Sequence, residues 1–582
     1  MQEDPNKITY FASTNSRGQN TPFGIKRRDR ARHMYVIGKT GMGKSTLLEN
    51  MAIQDIRNGE GMAFIDPHGS TAERLLEYVP EHRIQDVVYF APFDMDHPVA
   101  FNVMEDVGYD KRHLVVSGLI TAFKKLWVDA FSARMEYILS NTLLALLEYP
   151  GATMLDVNRM LVEKPFRKKV VDNIQDTIVK KFWTEEFANY TDRYTQEATP
   201  AIQNKVGQFT SNPLIRNIIG QAKSSFDIRQ LMDEKKILII NLSKGRVGEV
   251  NAALLGSMLV TKIYLAAMSR ADVSASVLSG LPNFYFYVDE FQNFANESFA
   301  DILSEARKYK LNLLIAHQYV EQMEEEVRDA VFGNVGTTVA FRVGPFDAEV
   351  LETVFAPQFT AQDLVNLGFA QIYLTLMIDG VGSPPFSATT LAPFDAPPKS
   401  FVQETLDNSR KAFARPRLEV EAAIAKTHEE EKVPVVAKEP RSEARPAPAS
   451  APVRETRPER GERKPMAERK PRQNTERTEP RENRAPKENR PPREEAPKPA
   501  LEGSLSLRDA LSQVTNHKPQ EHATDLKSTL HNLTSKPELS KQQKSEVHPA
   551  GLPPEELERM LAVDENAKRK EEDEYGDYLR DR

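Results

Sequence analysis

Gly38-Lys39-Thr40-Gly41-Met42-Gly43-Lys44-Ser45 has the form G-x-x-x-x-G-K-[ST], and each residue type in that spacing has a chemical task. The glycines let successive backbone N–H groups curl inward. A helix beginning at the end of the octet adds the positive end of its dipole, so the whole is a cradle for phosphate oxygens. Lys44 is spaced to reach the β- and γ-phosphates of a nucleoside triphosphate, and Ser45 to ligate Mg2+. A fortuitous Gly-rich turn would lack the flanks seen here, the apolar run Met34-Tyr35-Val36-Ile37 before it and a helical pattern after it. Residues Gly38 to Thr46 are therefore the candidate cradle, with ATP and Mg2+ the expected ligands.

A second group lies far downstream. Tyr285-Phe286-Tyr287-Val288 is apolar enough for a buried central strand, and it delivers Asp289 and Glu290 to that strand's carboxyl end. There Asp289 can hold the Mg2+ shell as a Walker B carboxylate, and Glu290 can polarise the attacking water. Two solvated acids on a surface turn are the alternative, and the four apolar residues directly before them favour the catalytic reading. The next apolar run, Leu311–Ala316, ends in His317-Gln318. At a neighbouring strand tip the Gln318 amide is either a γ-phosphate sensor or an ordinary loop amide. His317 has no companion at ligand spacing and reads as structural.

These residues need a frame that brings strand ends together. His33–Gly38, Gly61–Asp66, Asp86–Phe90, Lys236–Leu242, Asn283–Asp289, Leu311–His317, Thr337–Val343 and Gln371–Met377 read as strands, several of them apolar throughout. Such runs are buried on both faces, as in a parallel sheet covered by helices. Lys44–Arg57, Val247–Arg270 and Ser298–Lys310 have helix length between them. The alternation predicts an α/β fold with a doubly wound, mostly parallel sheet. Residues 107–230 break it: they carry helical spacing, such as Leu143, Leu144, Leu146 and Leu147, and read as an all-helical insertion. A further helix is expected over about Ser400–Lys426.

The ordered set of P-loop, Ile65-Asp66-Pro67-His68-Gly69, helical insertion, Asn241-Leu242-Ser243-Lys244-Gly245, Val288-Asp289-Glu290-Phe291 and Ala316-His317-Gln318 resembles the FtsK/HerA superfamily. Within it, the set is most similar to the coupling proteins of type IV secretion, the TraG/TraD-like branch, over residues 20–395. The resemblance implies a RecA-like ATPase, assembled as a hexameric ring, that moves DNA and occasionally protein through a central channel. It also implies an arginine supplied by a neighbouring subunit; Arg307 matches the family's finger position best, Arg342 is the second candidate, and either is otherwise a solvated or ion-paired side chain. Coupling proteins typically carry N-terminal membrane helices, whereas this P-loop begins at residue 38, so a soluble, cytoplasmic ring that docks on a membrane partner or works away from the membrane is expected. The implied organisation is a lead segment (1–32), a motor domain split into an N-terminal half (33–106) and a C-terminal half (231–395) by the insertion (107–230), a C-terminal helix (396–430), a disordered linker (431–500) and a largely disordered tail with short helices (501–582).

Composition agrees with a motor followed by a tether. Of the 582 residues, 431–500 hold 14 of the 38 prolines and no Ile, Leu, Phe, Tyr or Trp, too little apolar surface to offset ordering the backbone. That stretch has 19 basic residues against 13 acidic, and 501–582 has 12 against 17, so with a net charge of −7 overall the motor carries −8. An acidic motor must meet DNA through local clusters: Lys26-Arg27-Arg28 with Arg30 and Arg32, Lys244 with Arg246, Arg167-Lys168-Lys169, or Lys180-Lys181, each otherwise a solvated face. The capped stretch from Ser506 to Val514 and the charged run Pro554–Glu574 read as tail helices; the first docks either on secretion machinery or on its own ring. The absence of cysteine excludes disulfides, thiolate metal sites and Cys nucleophiles. No uninterrupted apolar run has bilayer length. Asn204-Lys205-Val206-Gly207 lacks the acid of the guanine-reading N-K-x-D motif. A protein-moving secretion or pilus ATPase and a nucleotide-gated scaffold stand as alternatives to a DNA translocase.

Overall fold

The computed structural model describes residues 4–15, 20–127, 131–295 and 297–430. In chain order its strands are β1 (Ile8–Thr14), β2 (Pro22–Lys26), β3 (Met34–Ile37), β4 (Gly61–Asp66), β5 (Val87–Phe90), β6 (Ile237–Asn241), β7 (Phe284–Val288), β8 (Leu311–His317), β9 (Thr337–Ala340), β10 (Gln371–Thr375), the short ribbon β11 (Met377–Ile378) and β12 (Val381–Gly382), and β13 (Phe386–Thr390). Eleven of them form one sheet in the order β2-β1-β13-β10-β9-β3-β8-β7-β4-β6-β5. From β9 to β5 every pairing is parallel; from β9 outward through β10, β13, β1 and β2 every pairing is antiparallel. The mostly parallel α/β sheet read from the sequence is present.

The strand alternation assigns the two faces. Tyr35, Ile37, Ala63, Ile65, Phe286 and Val288 point into one core, while Met34, Val36, Met62, Phe64, Tyr285 and Tyr287 point into the other. The P-loop helix Lys44–Arg57 covers the second core through Leu47, Leu48 and Met51. The first core is continuous with the helices that lie between β5 and β6, where the described residues include no strand. Five of these helices start with a side-chain cap: Ser132, Asp176, Thr191, Asn212 and Asp227 each accept a backbone N–H of the first turn, satisfying donors that have no helical partner.

Helix Glu249–Met268 is the link between insertion and sheet. With the turn that follows it to Asp272, it is long and apolar enough to cross a membrane, but 72% of its most apolar window is buried inside the protein. It is a core helix. Insertion helix Arg112–Leu126 lies close against it: a Cβ on Gly118 would stand 2.5 Å from Thr261 Cγ2, an approach that only glycine permits.

Three differences from the sequence reading have physical causes. Residues 1–32, read as a lead segment, contribute β1 and β2 to the sheet. The strand expected over Thr337–Val343 ends at Ala340, because Phe341 and Arg342 turn aside to bond the P-loop. The helix expected over Ser400–Lys426 is two, Val402–Phe413 and Arg417–Glu430, since Pro416 cannot donate within a helix and disfavours helical backbone before it. The tail helices expected at 506–514 and 554–574 lie outside the described residues.

Candidate nucleotide site

The parallel pairings of β3, β8, β7 and β4 align Ile37 with His317 and Ile65 with Val288, so the residues following these strands emerge on one edge. The P-loop there is clamped by backbone bonds. Phe341 N donates to Ile37 O (2.8 Å), Lys39 N to Arg342 O (2.8 Å) and Ala370 N to Met42 O (3.3 Å). Gly41 and Gly43 sit at φ 78° and 116°, left-handed values that glycine adopts without strain; a Cβ on Gly38 would stand 2.5 Å from Phe341 Cβ. Lys44 opens the helix and is buried, its Nζ donating to Gly38 O (2.7 Å) and Lys39 O (3.4 Å). Burial lowers its pKa, opposed by the charges of Glu290 and Asp289. Thr46 is half-buried in the first helical turn.

Ser45 Oγ donates to Asp289 Oδ2 at 2.9 Å. Burial pushes the Asp289 carboxyl up to about 6, the Ser45 hydrogen bond pulls it down, and the charges of Glu290 and Asp66 push it further up. A buried carboxylate with surplus negative charge around it, joined to a hydroxyl, is a hard-oxygen donor pair suited to Mg2+, which takes one or two protein ligands and fills its shell with water and phosphate. Ser45 and Asp289 would hold that ion. Among the described residues no group of three or more His, Asp or Glu side chains forms an all-protein metal cage.

Glu290 has a different environment. It is buried to 6% exposure, at φ 49°. Gln318 Nε2 donates to its Oε1 and Gln292 Nε2 to its Oε2 (2.6 Å), while His68 Nε2 stands 4.0 Å from Oε1. Burial raises its pKa, but His68 close by, the hydrogen bonds from Gln318 and Gln292 and the charge of Lys44 outweigh burial and hold it at about 2. Gln318 also accepts from Thr40 Oγ1 at 2.8 Å, so one amide spans the P-loop and the Walker B acid. His317 is fully buried behind it, with Nδ1 2.9 Å from Tyr35 OH and the ring held neutral by burial, pKa about 4.

His68 and Gln292 were not singled out from the sequence. The signal for His68 is topological: β4 neighbours β7, so the turn after β4 must meet the residue after β7. The nearby Glu290 carboxylate raises the His68 pKa despite partial burial. Asp66 shapes that turn by accepting from His68 N (2.8 Å) and Ala72 N (2.9 Å).

The two arginine candidates separate. Arg342 stands on the nucleotide edge, half-buried, its carbonyl holding Lys39. Arg307 is exposed in a turn just before β8 begins at Leu311. β8 runs seven residues from there to His317, about 20 Å at the usual rise, so Arg307 lies on the opposite edge from its own P-loop.

Of the basic clusters, the densest has four of its five cations paired with carboxylates. Arg30 is buried, pairing with both oxygens of Asp55 (2.7 and 2.8 Å), donating to Tyr287 OH (2.9 Å) and lying 3.5 Å over the Tyr285 ring. Arg27 pairs with Glu60, and Lys26 and Arg28 with Asp379. Lys244 donates to Asn293 Oδ1 (2.9 Å), and Arg246 pairs with Glu73 and covers the Phe93 ring at 3.4 Å. Arg167 turns inward to Met160 and Leu161 carbonyls.

A parallel sheet, a glycine-rich phosphate cradle at a helix N-terminus, and a Walker B acid joined to the cradle's serine together define a P-loop NTPase. The family model described as "Type IV secretion-system coupling protein DNA-binding domain" matches residues 21–354, and the chain belongs to that family. Among solved structures it is similar to plasmid coupling protein TrwB in complex with the GTP analogue GDPNP, at 14% identity over 69% of this chain and 92% of that one, TM-score 0.50. TrwB in complex with ADP and Mg2+ (14%, 67% and 96%, TM-score 0.49) and VirB4 of Thermoanaerobacter pseudethanolicus (12%, 67% and 98%, TM-score 0.46) also match. No curated protein sequence matches the chain.

Proposed function

We propose that the chain is a cytoplasmic ATPase that forms a ring and moves DNA for a type IV secretion or conjugation system, any membrane attachment being made through a partner held by the tail. The observation that carries hydrolysis, as opposed to nucleotide binding alone, is the Thr40–Gln318–Glu290 bridge, which ties the phosphate cradle to a carboxylate kept ionised.

With its pKa near 2, Glu290 is a poor proton acceptor at neutral pH, since a general base works best near the operating pH. Its task is to orient and polarise water. In the present geometry Gln318 and Gln292 each donate to one of its oxygens and His68 stands 4.0 Å from Oε1, so a water is gripped through the remaining lone pairs or when one of these groups moves away. Gln318 is the one attached to the cradle, so a γ-phosphate reaching Thr40 and Lys44 would draw it off and free Oε1. Lys44 then neutralises charge on the phosphoryl oxygens during in-line displacement. When bound at Ser45 and Asp289, Mg2+ supplies further positive charge to the β- and γ-oxygens. An arginine from the neighbouring subunit completes the site; exposure on the far edge suits Arg307 to act in a neighbour's site and not in its own.

The test is phosphate release with and without single- and double-stranded DNA, alongside native mass. The expected outcome is stimulation by one DNA form in an oligomeric species, with Glu290→Gln binding ATP but not turning over. No stimulation by either form would refute DNA as the substrate, and turnover by Glu290→Gln would remove Glu290 from the chemistry.

A further inference from the structure

The loop after β7 is held from outside the nucleotide site. Near the end of insertion helix Arg112–Leu126, Lys125 Nζ donates to Gln292 O (2.5 Å) and to Ala295 O. Burial pushes its pKa down to about 8, opposed by the charge of Glu324; a desolvated ammonium of this kind is retained because two carbonyls compensate it. The side chain of the same Gln292 donates to Glu290 Oε2 at 2.6 Å, and its own Oε1 is buried without a partner. That amide is thus oriented by its single bond to Glu290 and by the backbone that Lys125 grips. From the other side Asn293 Nδ2 donates to Glu290 O (2.8 Å), and Lys244 Nζ donates to Asn293 Oδ1 (2.9 Å).

We infer that Lys125 is a positioning residue for hydrolysis: it fixes the 291–295 turn so that Gln292 aims the Glu290 carboxylate, and it thereby couples the helical insertion to turnover. The inference rests on the role proposed for Glu290. Movement of the insertion against the sheet pulls on the Gln292 and Ala295 carbonyls, and the tug reaches the catalytic oxygen through one side chain. Lys125 touches neither the cradle nor the metal pair, so its loss is expected to spare nucleotide affinity.

The experiment measures steady-state ATPase activity of the full chain and equilibrium binding of N-methylanthraniloyl-ATP for Lys125→Met, Lys125→Arg, Gln292→Ala and the Lys125→Met/Gln292→Ala double variant. Lys125→Met and Gln292→Ala are each expected to lower kcat about tenfold, the scale on which small misplacements act. KM and probe affinity stay within twofold, and Lys125→Arg regains most of the rate. The double variant falls no further than the lower single, because both act through one contact. Wild-type kcat in Lys125→Met, a loss confined to KM, or losses that multiply in the double variant would overturn the inference. If Lys125→Met does not fold, Gln292→Ala decides: wild-type kcat there overturns it as well. Turnover by Glu290→Gln removes the underlying reading instead, so the two failures are distinguishable.

Discussion

Gly256 offers a test of how tightly the catalytic turn is packed. It lies inside helix Glu249–Met268, and a Cβ at that position would stand 2.3 Å from both Cδ1 and Cε1 of Phe294, with Leu242 Cδ1 at 3.1 Å on the other side. Ordinary contact begins at 3.4 Å, so in Gly256→Ala the ring must retreat by about 1 Å. Phe294 is fully buried and its backbone N–H is bonded to Phe291 O at 2.9 Å; the ring cannot swing into solvent, and its displacement is carried by the 291–295 turn. Two stability terms compete. Alanine gains about 1 kcal/mol over glycine in a helix interior, while overpacking a filled core costs about 1–3 kcal/mol, leaving a net loss of about 0–2 kcal/mol. Turnover has no such offset: a shift of about 1 Å at a positioning element can cost up to about 100-fold. Gly256→Ala should therefore melt close to the wild type while its saturating phosphate-release rate falls at least tenfold, with nucleotide affinity retained. Gly333→Ala, in helix Glu325–Asn334 with open space around its Cβ, is the control and should keep full activity. A Gly256→Ala protein with wild-type kcat and a raised melting midpoint would show that Phe294 yields without disturbing Glu290, and the argument would fail.

Two further outcomes concern the frame. His33 is buried, with Nε2 3.2 Å from Leu303 O and Nδ1 accepting from Leu313 N (3.1 Å); burial, helped by the charge of Arg307, holds its pKa at about 4. The unfolded chain binds a proton there below about 6.5 and the folded one does not until about 4, so stability falls as pH drops through that window, by up to about 3 kcal/mol. His33→Asn, which tolerates the position's φ of 61°, should flatten denaturation midpoints between pH 6.5 and 4; an unchanged slope rules His33 out as the cause. Asp55→Ala strands the buried Arg30 and should cost about 3–5 kcal/mol, while the exposed Arg28→Ala leaves the melting midpoint in place; equal effects would refute the distinction between a structural and a surface arginine.

What could be read from the chain, and what could not, divides by sequence distance. The P-loop and the Walker B run are local: the strand, the turn and the candidate side chains occupy about a dozen consecutive residues or fewer, and a parallel strand buried on both faces advertises itself as unbroken apolar sequence. Most of the antiparallel flank does not. β1 is half-buried, with Thr and Ser among its seven residues, and β13 is Phe-Ser-Ala-Thr-Thr; neither shows the apolar density that marked the central strands. The basic run at residues 26–32 shows the same limit. The carboxylates paired with four of its five cations are Asp55, Glu60 and Asp379, which no window around the run contains.

The catalytic turn is the extreme case of the same limit. An apolar strand marks Glu290 in the sequence, whereas the residues packed on the turn that follows it, Lys125, Lys244 and Gly256, come from three different elements. Of these, only the glycine leaves a local trace. A glycine inside an otherwise apolar helix costs about 1 kcal/mol against alanine, and such a cost needs a packing reason. Gly118, facing Thr261, carries the same trace on the insertion helix that ends beside Lys125. Both helices thus pay in propensity at the points where they approach their neighbours most closely. Reading them together places the insertion, the apolar helix and the Walker B turn in one contact, which is the contact that the Lys125 and Gly256 variants probe from opposite sides.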